Sequence, residues 1–209
     1  MVVVDGRLMD PRIKLKLYGS LERGPMPKVN GIVIHQTDGP TAQSTLDGYG
    51  AGAEAGAHFL IDKDGTIYQT ARITQKTLHV GNIKSRCYET HTCMIPEGRK
   101  TSREYDILAG PTGKKFFPKA MHQFEMKKHY PDRYPSNTDS IGIEVAGRVD
   151  KAKGVYEGPT NVQAIAIKFL VEELETLLVL TDRDLYPHSE VSYKNTTEAR
   201  SIMPFLKGR

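Results

Sequence analysis

The chain lacks several features that would place it in other classes of protein. Its 209 residues include no tryptophan, and because no RNA- or DNA-binding motif is present either, we expect no nucleic-acid partner. No long unbroken apolar stretch occurs, so we expect no transmembrane segment. The N-terminus has neither the basic segment nor the apolar core of a secretory signal, so we expect synthesis in the cytoplasm. Any action in the periplasm or on a cell wall would then need signal-independent export.

Cysteine is also scarce, since Cys87 and Cys93 are the only two. Their spacing allows either a short-loop disulfide, which needs an oxidising compartment, or a pair of free thiols. A structural zinc site there is disfavoured, because no further ligands follow at zinc-finger spacing. The formal charge of +4 is a mild excess that suits an anionic polymer, although charge alone would suit nucleic acid equally well.

The hydrophobic pattern predicts one α/β domain over residues 1–209, in which a single mixed central β-sheet is flanked by helices. Asp64-Gly65 favours a hairpin turn between two short strands, and Thr160 with Gln163 forms a capping box at the start of a helix. The predicted strands are 31–35, 58–62, 66–69 and 140–145, and the clearest helix is 160–180.

Three further segments are an N-terminal extension, an insertion and a last helix. Residues 1–27 form an N-terminal extension with one half-buried edge strand at 13–18. Residues 83–137 form a long insertion with little regular structure except a helix near 119–130, and such a long loop is usually functional or disordered. A last helix is predicted over 197–206.

Two histidines stand where a metal could be bound. His35 ends the apolar strand that begins at Gly31 and is followed at once by turn residues. The second candidate, His188, lies far downstream within residues 186–192. Two imidazoles with one anionic ligand and a fourth position open to water are typical of zinc hydrolases. A histidine at a strand end is also often only a structural hydrogen-bonding residue.

The order of several sequence blocks resembles the zinc-dependent N-acetylmuramoyl-L-alanine amidases, or type 2 amidases, which include the peptidoglycan recognition proteins. The resemblance extends over roughly residues 28–200, and the blocks are 32–35, 58–69, 79–82, 137–144 and 188–192. It implies hydrolysis of the amide between N-acetylmuramic acid and L-alanine in peptidoglycan or muropeptides, with Zn²⁺ as cofactor.

The resemblance also implies a ligand set. His35 and His188 match the two zinc histidines of the family. The third ligand is usually Asp or Cys, eight to ten positions past the second histidine, and this chain has Thr196 and Glu198 there. We therefore expect Glu198 to be the third ligand, at the start of the last helix where the helix dipole favours a carboxylate. Glu190 is the alternative ligand, and it would otherwise be structural.

Four more residues are assigned by resemblance. Glu144 matches a catalytic carboxylate, which would act as general base toward water and then as general acid toward the leaving amine. Lys194 could stabilise the tetrahedral oxyanion. His79 and Asn82 match the substrate groove. The alternatives are a surface salt bridge for Glu144 and a solvated loop residue for Lys194.

Two other functions stay open at this point. Some family members are binding modules that have lost zinc ligands, and a zinc hydrolase could also act on another amide. The cellular role could be that of a recycling enzyme, a phage endolysin or an antibacterial effector. Residues 194–199 and the cysteine-bearing insertion resemble bacterial amidases linked to type VI secretion, which implies a bacteriolytic effector with a cognate immunity protein.

Overall fold

The computed structural model describes residues 1–110 and 118–206. Residues 111–117 of the predicted insertion and the last three residues of the predicted domain lie outside the described residues. The strands are β1 (Val2–Val4), β2 (Arg7–Met9), β3 (Ile13–Leu15), β4 (Gly31–Gln36), β5 (Phe59–Ile61), β6 (Ile67–Gln69), β7 (Ser140–Val145), β8 (Val149–Asp150), β9 (Val155–Tyr156) and β10 (Leu185–Pro187). The α-helices are α1 (Gln43–Gly50), α2 (Arg86–Glu89), α3 (Arg103–Ala109), α4 (Pro118–Glu125), α5 (Asn161–Leu178) and α6 (His188–Val191). Short 3-10 helices cover Gly19–Leu21, Asp182–Asp184 and Met203–Phe205.

The central sheet has six strands in the order β10-β4-β7-β5-β6-β3. All neighbouring pairs are parallel except β5 and β6, which are antiparallel. The predicted mixed sheet with flanking helices is therefore confirmed. Within the described residues, no helix has the length and apolarity that crossing a membrane would require.

The two faces of the sheet serve different purposes. Side chains alternate along a strand, so Ile32 and Ile34 of β4 face the main core with α5. Val33, one residue away from each, belongs to a second cluster that includes Tyr134 and Tyr186. By the same alternation His35 lies on the second face, which leaves it free of the main core.

Helix α5 closes the main core, as its sequence pattern predicts. The predicted capping box is present, because the Thr160 side chain accepts from the Gln163 N–H and the Gln163 side chain accepts from the Thr160 N–H. Ile167, Leu170 and Leu174 are fully buried on one face, which anchors the helix against the sheet.

The insertion is more helical than predicted. Besides α4, which matches the start of the predicted helix, it contains α2 and α3. The Ser102 side chain caps α3 by accepting from the Tyr105 N–H. Ser102 followed by acidic residues in the first turn is a recognisable start signal for a helix.

The predicted closing helix over 197–206 is wrong. The described chain there forms successive turns and a single 3-10 helix, with N–H groups bonding the carbonyl three residues earlier, as from Glu198 to Asn195. Ala199 has a positive φ of 61°, a conformation that a helix cannot contain. Glu198 is therefore not at a helix N-terminus, and the argument from the helix dipole does not apply to it.

Candidate functional site

The strand register brings the site residues together. His35 on β4 pairs directly with Glu144 on the parallel strand β7. On the other side of β4, Pro187 of β10 pairs with Ile34, so His188 follows at the same edge. Carboxyl ends of parallel strands meet at one edge of a sheet, which is the usual place for a site in such folds.

Three candidate ligand atoms converge at this edge. The His35 Nδ1 lies 2.9 Å from the His188 Nδ1. The His188 Nδ1 lies 2.8 Å from the Glu198 Oε1, and the His35 Nδ1 lies 3.8 Å from the same oxygen. All three residues are buried. We call them the His–His–Glu cluster.

The Val80 carbonyl fixes a hydrogen on one ring nitrogen of His188. Its Nε2 lies 2.9 Å from the Val80 carbonyl oxygen, which can only accept, so Nε2 carries the hydrogen. In a neutral imidazole the other nitrogen then has a free lone pair. The His188 Nδ1 faces a carboxylate oxygen of Glu198, so the two atoms either share a proton or share a cation.

A chain of three side chains fixes His35 in the same way. The Ser140 hydroxyl donates to the Ser136 carbonyl at 2.6 Å, so its oxygen accepts from the His79 Nε2 at 3.2 Å. Burial lowers the pKa of His79 well below its usual value, so the ring is neutral and its Nδ1 accepts. The His35 Nε2 therefore donates to the His79 Nδ1 at 2.9 Å, which leaves the His35 Nδ1 as an acceptor. Burial also lowers the pKa of His35 well below its usual value.

Glycine is needed at one position for this chain to form. A Cβ atom added to Gly142 on β7 would lie 2.7 Å from the His79 Nδ1, closer than real Cβ contacts allow. The Gly142 N–H also donates to the His58 Nδ1 at 3.0 Å. Gly142 thus admits the His79 ring beside the sheet.

The donor set and its spacing fit a zinc ion. Three candidate ligand atoms face one another across 2.8–3.8 Å, close enough for one cation to contact all of them. Zinc–ligand bonds of about 2.0–2.1 Å in a tetrahedron would separate ligand atoms by about 3.3 Å, within this range. Two imidazoles and a carboxylate are ordinary zinc ligands, and three protein ligands are typical of catalytic sites.

Glu144 lies next to this cluster with an unsatisfied oxygen. Its Oε2 is buried and has no hydrogen-bond partner among the described residues. Burial first and the nearby Glu198 charge second raise its pKa from 4.5 to about 8, while Lys194 opposes the shift. Glu144 also lines a cavity of about 250 Å³ with Thr37, Thr45, Tyr49, Ala55 and Gly56. This cavity is the candidate substrate site.

The other predicted site residues are spread around the cluster. Lys194 is exposed, yet its charge acts on both Glu144 and His35. His79 contacts His35 rather than lining the cavity beside Glu144, and Asn82 is exposed with its carbonyl accepting from the Ser192 hydroxyl at 2.8 Å. Glu190 lines a different cavity, with Pro187, Arg200, Met203 and Pro204. Their assigned roles stay predictions.

Sequence reasoning did not identify Tyr49 as a site residue. Its hydroxyl oxygen accepts from the Ala57 N–H at 3.2 Å, so the phenol can donate its own hydrogen. Burial, with the Glu144 charge as the second cause, raises its pKa. The pattern of α1 identifies Tyr49 only as a buried residue, since its meeting with Glu144 depends on tertiary packing.

The structure joins Cys87 and Cys93 by a disulfide bond. Of the readings that the sequence left open, this is the short-loop disulfide. It lies at α2, and the segment just before it contacts the site, because Lys84 donates from its N–H to the Val191 carbonyl at 2.8 Å and from its Nζ to the Ser189 carbonyl at 2.9 Å.

Comparisons with known proteins bear on the family and on the fold. The family model described as N-acetylmuramoyl-L-alanine amidase matches residues 25–200. The crystal structure of a selenomethionine derivative of AmpD is similar over 99% of this chain and 100% of that chain, with a TM-score of 0.54 and 15% identity. The structure of PlyL is similar over 87% of this chain and 84% of that chain, with a TM-score of 0.51 and 15% identity. At this identity the two structures show a shared fold. No curated protein sequence matches the chain significantly.

Proposed function

Because the chain belongs to the N-acetylmuramoyl-L-alanine amidase family, we propose that it cleaves the amide between N-acetylmuramic acid and L-alanine with one zinc ion held by His35, His188 and Glu198. The observation that supports the metal is the convergence of three buried candidate ligand atoms from His35, His188 and Glu198. When bound, zinc supplies Lewis acidity, which polarises a carbonyl group and makes water a stronger acid.

Glu144 is the proton carrier in this proposal. Its Oε2 is buried and has no hydrogen-bond partner among the described residues, so the ionised carboxylate is free to accept a proton from the attacking water. The same carboxyl can then deliver that proton to the leaving amine, as general acid–base catalysis requires. The pKa of about 8 belongs to the metal-free protein, in which this carboxyl holds its proton at neutral pH. A cation held by the nearby His–His–Glu cluster would favour the ionised carboxylate that the base role requires.

Lys194 supplies positive charge at the mouth of the site. It is exposed and influences both Glu144 and His35 through space. A positioned ammonium would stabilise the negative charge that develops on the amide oxygen. The cavity of about 250 Å³ beside Glu144 holds the scissile bond in this proposal.

Mass spectrometry of muropeptide digests tests the reaction, the bond and the metal together. Purified protein should release L-alanine-terminated stem peptides, lose this activity after chelation and regain it with added zinc. The same protein should contain about one zinc per chain. Binding of muropeptides without any cleavage would instead identify a recognition module, and cleavage unaffected by chelation would contradict the zinc site.

The cellular role is a further part of the proposal: the enzyme acts on the wall outside the cytoplasm, as an antibacterial effector. The disulfide supports an oxidising location, since such bonds persist there. Expression with an added export signal should lyse a bacterial host, whereas cytoplasmic expression should not. Equal toxicity from both would contradict the location. An immunity protein should block the lysis by occupying the cavity.

A further inference from the structure

The third ligand of the His–His–Glu cluster lies in a segment with little regular structure of its own. Glu198 and Ala199 belong to successive turns between His188 and the 3-10 helix. Ala199 is fully buried and adopts φ 61°, which costs a non-glycine residue roughly 1 kcal/mol or more. Such a conformation persists only where the surroundings hold it.

Two buried side chains form hydrogen bonds with the peptide group that joins Glu198 to Ala199, one with its carbonyl oxygen and one with its N–H. The Ser189 hydroxyl donates to the Glu198 carbonyl oxygen at 2.9 Å. The Ala199 N–H donates to the Gln36 Oε1 at 2.9 Å. Ser189 is 1% exposed and Gln36 is 5% exposed, so solvent does not compete with either bond.

Each of these side chains follows a histidine of the cluster directly in sequence. Gln36 follows His35 at the end of β4, and Ser189 follows His188 at the start of α6. The Gln36 amide is itself fixed, because its Nε2 donates to the Glu157 carbonyl at 2.9 Å. The backbone that places each histidine therefore also places one end of the Glu198–Ala199 peptide.

From this arrangement we propose that Gln36 and Ser189 form a peptide clamp, whose function is to set the position of the Glu198 carboxylate relative to the two imidazoles. They are positioning residues and do not bind the metal. The inference rests on the proposed metal site. The clamp makes the position of the Glu198 carboxylate depend on the two segments that carry His35 and His188, so that all three side chains move together.

The clamp predicts a loss of metal affinity that ordinary destabilisation would not cause. Ser189→Ala should weaken zinc binding about tenfold, the range found when groups that orient a ligand are removed. Ser192→Ala is the matched control, because Ser192 directly follows α6, is 3% exposed and donates its hydroxyl to the Asn82 carbonyl at 2.8 Å. It should leave zinc affinity unchanged.

Zinc affinity is measured by equilibrium competition with a chelating indicator, alongside thermal unfolding of each metal-free protein. The clamp is supported if both serine variants unfold at similar temperatures and only Ser189→Ala loses zinc affinity. Equal affinity losses in both, or no loss in Ser189→Ala, overturn it. Gln36→Leu is the second variant, and it should also weaken zinc binding. It tests the clamp even if Ser189→Ala does not fold.

A double-mutant cycle with the ligand itself separates the clamp from the metal site. Glu198→Ala should weaken zinc binding more than Ser189→Ala, and adding Ser189→Ala to it should have no further effect, since there is no carboxylate left to position. Additive losses overturn the clamp while leaving the metal site intact. If the unsubstituted protein binds no zinc, the proposed metal site fails and the clamp fails with it.

Discussion

Two of the buried clusters among the described residues contain carboxylates whose partners differ in kind. In the insertion, the Lys128 Nζ lies 2.8 Å from Glu104 and 2.7 Å from Glu125, and we call these three residues the lysine cluster. In the His–His–Glu cluster, the hydrogen bonds and ion pairs of the described residues give the Glu198 carboxylate only the two imidazoles. The first cluster contains its own cation, and the second is the one that we propose binds a metal cation.

The comparison also shows why ligand-type residues alone do not identify a metal site. Cys87, Cys93 and Glu104 come as close together as His35, His188 and Glu198 do. The two sulfur atoms are bonded to each other, so they cannot act as thiolate ligands, and Glu104 is paired with Lys128. Available lone pairs, rather than proximity, distinguish the two groups.

The largest expected effect comes from removing a lone pair of the His–His–Glu cluster. His188→Ala should reduce zinc content to background and hydrolysis to the rate without enzyme, because two of the three contacts between candidate ligand atoms involve its Nδ1 at 2.8–2.9 Å. Metal analysis and muropeptide digestion measure both. His129→Ala, an exposed histidine of the insertion, is the control and should retain both. Full activity of His188→Ala would refute the ligand role.

A smaller effect is expected at Glu144, which lies beside the His–His–Glu cluster. Glu144→Gln keeps the shape of the side chain but cannot accept a proton, so turnover should fall about 10²–10⁴-fold. Zinc content should stay at the unsubstituted level, since Glu144 is outside the His–His–Glu cluster. Steady-state kinetics with metal analysis decides the matter, and unchanged turnover would assign Glu144 a structural role.

The same residue makes the metal-free protein sensitive to pH. Its pKa is raised from 4.5 to about 8 in the folded protein, so between these values the folded state holds a proton that the unfolded chain has released. Raising the pH through this window must therefore lower the free energy of unfolding, by roughly 3–5 kcal/mol in total.

Comparison with Glu144→Gln isolates that contribution, because other groups titrate in the same range. With chelator present, denaturant unfolding should show the variant gaining stability over the unsubstituted protein as the pH rises from 4.5 to 8. Below 4.5 the difference should no longer change. A constant difference across this range would show that Glu144 titrates normally.

At the lysine cluster we expect a loss of stability without a loss of zinc affinity. Lys128→Met leaves Glu104 and Glu125 buried without their cation, so the free energy of unfolding should fall by about 2–3 kcal/mol. Zinc affinity should not change. Lys127→Met, at the exposed neighbouring position, is the control for both measurements. A loss of zinc affinity in Lys128→Met alone would mean that the two clusters are coupled.

The sequence predicts the positions of His35 and His188 better than the hydrogen-bonding roles of their ring nitrogens. His35 and His188 follow from an apolar strand, turn residues and the order of family blocks, all of which are local patterns. The acceptor state of the His35 Nδ1 depends on His79 and Ser140, which come from separate segments. No local pattern specifies that meeting, because packing of nonlocal segments creates it.

Glu198 shows how correct spacing can accompany an incorrect local structure. The distance from His188 suggested Glu198, and the structure brings its carboxylate to the two imidazoles. The predicted helix around it is absent, because Ala199 adopts a positive φ and Gln36 and Ser189 hold its peptide group. A tertiary hydrogen-bond arrangement thus overrides the helical pattern of the sequence.

The smallest expected effect concerns the disulfide, which lies close to the lysine cluster. Replacing both cysteines by serine removes a closed loop of about seven residues, so the metal-free protein should lose about 2 kcal/mol of stability. Zinc affinity should persist, since the contacts of Lys84 with the Ser189 and Val191 carbonyls precede the loop and do not need it. Denaturant unfolding and zinc competition measure the two quantities. In reducing buffer the unsubstituted protein should match the serine variant in stability. A variant that loses zinc affinity while Lys128→Met keeps it would show that the disulfide loop, rather than the lysine cluster, supports the metal ligands.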